Sequence, residues 1–222
     1  MLLITQNARL RKKLQNVIWM LLLQISLIFG QELNRPLRVL IDPGHGGMDS
    51  GAVGVTGIQE KEVVLNLALA LQHLNATLGH PLDLFFTRSS DTLISLSDRS
   101  KLARSLQADV FLSLHCNHSD NPKARGVEVY VYDKPNSNTE PATWLAFQIQ
   151  EDFYKKLGFK SRGVKFDNFQ VLRETSGLMP SLLLELGFMS NRDENMYFLL
   201  TEFLSSVAIL ILECLLKNLD CY

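Results

Sequence analysis

The chain predicts a single α/β domain: a mostly parallel or mixed sheet flanked by helices, with its site at the C-terminal ends of strands. Three observations carry this. Apolar runs at 37–41, 110–114 and 182–186 have the length and composition of strands buried on both faces. Stretches of helical period alternate with such runs, the pattern of α/β folds. Each of the three runs also meets a chemistry-bearing residue: Asp42 and His45 after the first, His115 after the second, Glu185 inside the third. Ligands of open α/β sheets bind beyond the carboxyl ends of parallel strands, so the three ends are expected to share one pocket.

Taken in order, strand 37–41 leads into a glycine-rich loop through Gly57. A helix over 60–78 follows, with the apolar stripe Val63, Val64, Leu67, Leu71, Leu74 and Leu78. Strand 82–87 comes next. Ser95, with Asp98 three positions on, marks a helix N-terminus, and that helix runs to about Gln107. After strand 110–114, His115 opens a loop. Residues 126–132 alternate as a strand, 133–141 form a polar turn, and 142–157 are helical in pattern, closed by Gly158. Strand 182–186 and a helical C-terminus from about Asp193 complete the core. In that terminus, Glu202 and Glu213 interrupt the apolar stretch 198–216, which reads as a buried helix. Residues 36–218 thus form one domain, with no internal repeat or second-domain linker.

Composition bounds the function. With 46% hydrophobic and 20% charged residues the 222-residue chain has material for a real core, and its formal net charge of -1 gives no footprint for nucleic acid. Lys155, Lys156, Lys160, Arg162 and Lys165 read as a solvated basic face. Residues 1–31 differ: Arg9, Arg11, Lys12 and Lys13 precede the apolar stretch 17–29, a basic n-region and an h-region. That stretch is shorter than the roughly 20 residues of a membrane-spanning helix. It is read as a signal peptide or an uncleaved N-terminal membrane anchor, and the domain as exported to the periplasm or cell envelope. Three cysteines leave at least one unpaired; Cys214 and Cys221 are the pair close in sequence.

Glu185 is the most informative residue. A lone carboxylate in an apolar strand costs roughly several kcal/mol unless a cation or a reacting proton offsets it. Glu60 falls on the buried face of its helix, although a first-turn glutamate equally fits the helix dipole. With His45 and His115 it makes a two-histidine, one-carboxylate set, the ligand type of catalytic zinc sites that keep an open position. Gly44, Gly46 and Gly47 let backbone around His45 approach a metal or substrate closely. Asp42 and Asp49 are candidates to hold the imidazole or the loop, and fit turn residues equally. Cys116 alternates away from His115 and reads as a buried filler; Asn117, His118 and Arg173 are candidate substrate contacts.

The strings VLIDPGHGGMDSGA, GIQEKEVVLNLALAL, FFTRSSDTLISLSDRSKLA, ADVFLSLHCNHS, GVEVYVY and LLLELGFMSN, in this order, resemble the zinc-dependent N-acetylmuramoyl-L-alanine amidases that cut bacterial peptidoglycan. The resemblance implies Zn2+ held by His45, Glu60 and His115, Glu185 as the catalytic carboxylate, and peptidoglycan as partner. It departs from the family at Cys116, where an alanine-like residue is usual, and at His118. Some members carry a helical insertion that blocks the zinc until a partner removes it. The interval 115–185 shows no such insertion, so no obligatory activator is expected. Two rivals remain: an inactive wall-binding protein of the same fold, and a zinc exopeptidase acting on free peptides.

Overall fold

The structure, a computed structural model, describes residues 35–218. The expectations for a signal or anchor segment and for a Cys214–Cys221 bridge fall on residues outside that range. Cys214 itself is buried.

Among the described residues, six strands and six helices follow one another as β1 (Arg38–Pro43), α1 (Glu60–Thr77), β2 (Asp83–Phe86), α2 (Leu96–Ser105), β3 (Val110–Asn117), β4 (Val127–Tyr132), α3 (Thr139–Leu157), β5 (Ser161–Asp167), α4 (Gln170–Thr175), β6 (Ser181–Phe188), α5 (Arg192–Phe198) and α6 (Thr201–Lys217). The strands make one mixed sheet in the order β2-β1-β3-β6-β4-β5. Its first four members are parallel, β4 runs antiparallel to β6, and β5 is parallel to β4.

Strand alternation splits the core in two. Val39 and Ile41 of β1, Val110, Leu112 and Leu114 of β3, and Leu182, Leu184 and Leu186 of β6 pack on one face with α1, α3 and α6. Leu40, Phe111 and Leu183 point to the other, where the short helices α2 and α4 give a smaller apolar cluster. Asp42, Ser113, His115, Glu128 and Glu185 alternate onto this thinly covered face, and that is why the polar chemistry gathers there.

Local sequence accounts for most boundaries. Glu62 returns its carboxylate to the Gln59 N–H at 3.1 Å, opening α1. Ser95 caps α2 by accepting from Asp98 N at 3.1 Å. Gly158 closes α3 in the left-handed region, φ 70°. Pro141, expected in a turn, sits inside the first turn of α3, where its missing N–H has no helical partner to lose.

Several expectations are corrected. His115 does not open a loop: β3 runs on to Asn117, because β6 continues to pair with it. β5 and α4 were not expected. β5 is a half-exposed edge strand of mixed polarity that exists by pairing with β4, and α4 is a six-residue helix too short to show a period. The C-terminal segment is two helices bent by 84° at Leu199 and Leu200. Among the described residues no single helix is long and apolar enough to cross a membrane.

Candidate metal centre

β1 ends at Pro43, and the next residues turn sharply: Gly46 and Asp49 exchange both backbone bonds, at 2.9 and 3.1 Å. That turn returns the Asp49 carboxylate to His45 Nδ1 at 2.8 Å. His45 itself adopts φ 58°, a left-handed conformation that costs a non-glycine residue on the order of 1–3 kcal/mol. Its Nε2 lies 3.1 Å from Glu60 Oε1. Glu60, the first residue of α1, is buried and accepts from Ala52 N at Oε2 and Cys116 N at Oε1, both at 2.9 Å. His115, near the end of β3, brings Nδ1 to within 3.0 Å of the same Oε1.

The set fits a divalent cation. One ligand atom from each of His45, Glu60 and His115 lies within 4.8 Å of the other two, the donor types suit zinc, and one residue of the three is well buried. Charge tells the same story. Burial lowers the pKa of His45, but Glu60 and Asp49 outweigh it and push it up to about 9. Burial likewise opposes protonation of His115, and Glu60 again reverses the sign. Glu60 is held well below the usual carboxylate range, because the two imidazoles, His115 first, overcome its own desolvation. The Glu60 carboxylate thus favours positive charge at both imidazoles, and a metal ion would supply that charge in the same place.

Glu185 is the cross-strand partner of His115. Its Oε2 is shielded from solvent and makes no hydrogen bond. Burial raises its pKa to about 7, with the charge of His115 pulling the other way and Glu60 and Glu128 adding to the rise. His45, His115 and Glu185 line one cleft of about 640 Å³, walled by Leu93, Ile94, Leu96, Phe169, Val171 and Leu183 and reached by Ser95, Asp98 and Gln170.

The other candidates divide. Asp49 does hold the imidazole. Asp42 lines the cleft but does not touch His45; it is buried among Arg99 Nη1 at 2.6 Å, Thr87 Oγ1 at 2.7 Å and Ser113 Oγ at 2.8 Å. Asn117 donates to Glu128 at 3.1 Å, Arg173 bonds Asn168 from an exposed position, and His118 is exposed; none of the three lines the cleft. Cys116 packs into the core on the opposite side of β3 from His115, as its alternation implies.

The glycines act differently from expectation. A Cβ at Gly44 would overlap the His115 ring, whereas Gly46 and Gly47 make room for the backbone at Thr92 and Leu93. Gly51, φ 63°, went unnoticed, yet a Cβ there would strike both Glu60 and His45. Two arginines were also missed. Arg88 and Arg99 sit in the strings TRSSD and SDRSK, but arginine in such strings looks like surface charge. Both are buried. Arg162 and Lys165, expected on a solvated face, instead ion-pair with the buried carboxylate of Glu128.

Comparison with known proteins agrees with the geometry. A family model described as N-acetylmuramoyl-L-alanine amidase matches residues 39–217. CwlM of Bacillus licheniformis, named an N-acetylmuramoyl-L-alanine amidase, is 37% identical over 172 residues, which cover 78% of this chain and 64% of that protein. LytC of Bacillus subtilis (strain 168), with the same designation, is 39% identical over 177 residues, 77% of this chain and 34% of that protein. The chain thus spans less than two thirds of each of these relatives. Among solved structures, the catalytic domain of CwlV from Bacillus (Paenibacillus) polymyxa var. colistinus aligns with a TM-score of 0.75 at 35% identity, covering 84% of this chain and 99% of that one. An N-acetylmuramoyl-L-alanine amidase from Clostridium difficile 630 aligns with a TM-score of 0.76 at 33% identity, covering 83% and 97%. Sequence, fold and clustered side chains converge: this chain belongs to the N-acetylmuramoyl-L-alanine amidase family.

Proposed function

We propose that the chain is a zinc-dependent peptidoglycan hydrolase cleaving the amide between the lactyl group of N-acetylmuramic acid and L-alanine of the stem peptide. The observation that carries this is the clustering of His45, Glu60 and His115 where the two histidines share a cleft with a buried carboxyl, Glu185, that has an unbonded oxygen.

His45, Glu60 and His115 would hold the ion. Zinc, when bound, supplies Lewis acidity toward water and a carbonyl oxygen. With its Nδ1 proton donated to Asp49, His45 would present an unprotonated Nε2 to the ion, beside the Glu60 oxygen that would share it. Glu185 takes a proton from the attacking water at its unbonded oxygen and returns it to the departing alanine nitrogen. A carboxyl near neutrality suits both halves of that task, since it is neither too weak to accept nor too acidic to donate. Leu93, Ile94, Val171 and Leu183 give the cleft apolar walls beside the reacting groups.

The cleft stands open to solvent, with side chains of both histidines about one fifth exposed. This supports activity without an activating partner. The basic and apolar N-terminal residues support export, with the same segment able to tether the enzyme at the membrane.

Purified sacculi digested with and without a chelator, with products identified by mass, test the proposal. Intact stem peptides bearing a free alanine amine, lost on chelation, are expected. Shortened stems would point to a peptidase; no release under any metal condition would leave an inactive binding protein.

A further inference from the structure

We propose that Arg88 is a positioning residue that locks the loop carrying His45 to the helix carrying Glu60. The inference rests on the reading of these residues as metal ligands. Arg88 directly follows Thr87, which follows β2, and is buried. Among the described residues its hydrogen bonds all go to main-chain carbonyls. Nε donates to Pro43 O at 3.0 Å, and Nη2 donates to Gly44 O at 2.7 Å and to Lys61 O at 2.9 Å. Nη1 donates to Ser90 O at 3.2 Å. One guanidinium therefore joins the two residues before His45 to the residue after Glu60.

The two ligands sit on separate elements that need a fixed relation to each other. His45 occupies a strained left-handed conformation on a loop of glycines, and loops of this kind have few packing contacts of their own. Glu60 is fixed at the capped start of α1, so the bond from Arg88 to Lys61 O ties the loop to an anchored helix end. Fixing carbonyls 43 and 44 against carbonyl 61 removes the relative motion that would separate His45 Nε2 from Glu60 Oε1. Arg99 works beside it: Nη1 donates to Pro43 O at 2.7 Å and Nη2 to His45 O at 2.8 Å, with Asp42 balancing its charge. Between them the two arginines satisfy three consecutive carbonyls. The brace needs arginine, because a planar fork reaches several acceptors in fixed directions, whereas a lysine ammonium is a single point with three donors.

The test compares the full-length chain with its Arg88→Lys variant. Zinc affinity is read by competition with a chromogenic chelator, and ligand geometry by the visible absorption of the cobalt-substituted protein. Loss of an outer partner of metal ligands typically weakens binding about 10–100-fold. That loss, together with an altered cobalt spectrum and a metal-free melting temperature close to the parent's, is expected. Partial restoration by millimolar guanidinium in Arg88→Ala is expected as well. An affinity and spectrum matching the parent would overturn the inference while leaving the metal reading intact. A parent that binds no zinc fails the metal reading itself. Should Arg88→Lys unfold, Arg88→Gln carries the same measurements. If both unfold and added zinc restores neither, Arg88 supports the fold rather than the site, and the proposal falls.

Discussion

Glu128 and Glu185 are cross-strand partners of β4 and β6, the same residue type on the same face of one sheet, yet their surroundings are opposite. Glu128 is filled: Arg162 Nε and Lys165 Nζ bind one oxygen, and Tyr130 OH at 2.7 Å and Asn117 Nδ2 at 3.1 Å bind the other. Burial alone would raise its pKa, but Lys165, Arg162 and Tyr130 outweigh that and lower it. Glu185 keeps an oxygen bare, and its pKa rises to about 7. A satisfied carboxylate fastens strands together. A bare one beside a candidate cation site is free to move a proton, and the contrast separates structural acid from proposed catalytic acid.

The largest effect belongs to the bare member. Glu185→Gln should lower kcat on a soluble muropeptide by about 10²–10⁴-fold while the fold stays intact. Activity close to the parent's would remove Glu185 from the mechanism. Next, Asp49→Asn, which weakens the hold on His45 Nδ1, should reduce zinc affinity by about 10–100-fold by chelator competition. An unchanged dissociation constant would make Asp49 a turn residue only.

Glu128→Gln should act on stability instead of chemistry, costing about 1–3 kcal/mol in urea unfolding because the buried side chain loses its charge-assisted bonds to Arg162 and Lys165. A variant that keeps its stability but loses activity would dissolve the contrast between the two acids.

The smallest effect is the pH dependence of the metal-free protein, and it should have opposite signs at the two positions. The folded pKa of Glu185 lies above the ordinary 4.5, so its protonated form favours folding. That contribution is complete below 4.5 and is lost as pH rises through about 7. Relative to Glu185→Gln, the parent should therefore lose stability across this window. The Glu128 pKa is lowered, so its contribution is present above 4.5 and disappears as pH falls through the folded value. Parallel urea titrations of the parent and both Gln variants check the signs, and two curves moving the same way would contradict the assignment.

The legible parts of the site are those written in local pattern. Glu185 interrupts an apolar run, His115 directly follows one, and Glu60 falls on the apolar stripe of its helix, so local pattern marks all three, although it leaves His115 in a loop. His45 owed its reading to the glycines around it. What escaped notice was Arg88, Arg99 and Gly51, because a buried arginine has the same sequence signature as an exposed one. β5 escaped as well, since an edge strand with exposed charges has no apolar pattern to read.

The chain alone determined which segments become buried strands, where α1 and α3 begin or end, and which donor types lie at the strand ends. These follow from hydrophobic period, capping and turn chemistry, which act over a few neighbouring residues. Only the tertiary structure decided that β4 runs against β6, that Glu128 meets Arg162 and Lys165 while Glu185 meets none, and that Arg88 spans from residue 43 to residue 61. The physical reason is that a charge is settled by whatever lies within a few ångströms of it, and here those neighbours come from distant stretches of chain brought together by the order and direction of the strands.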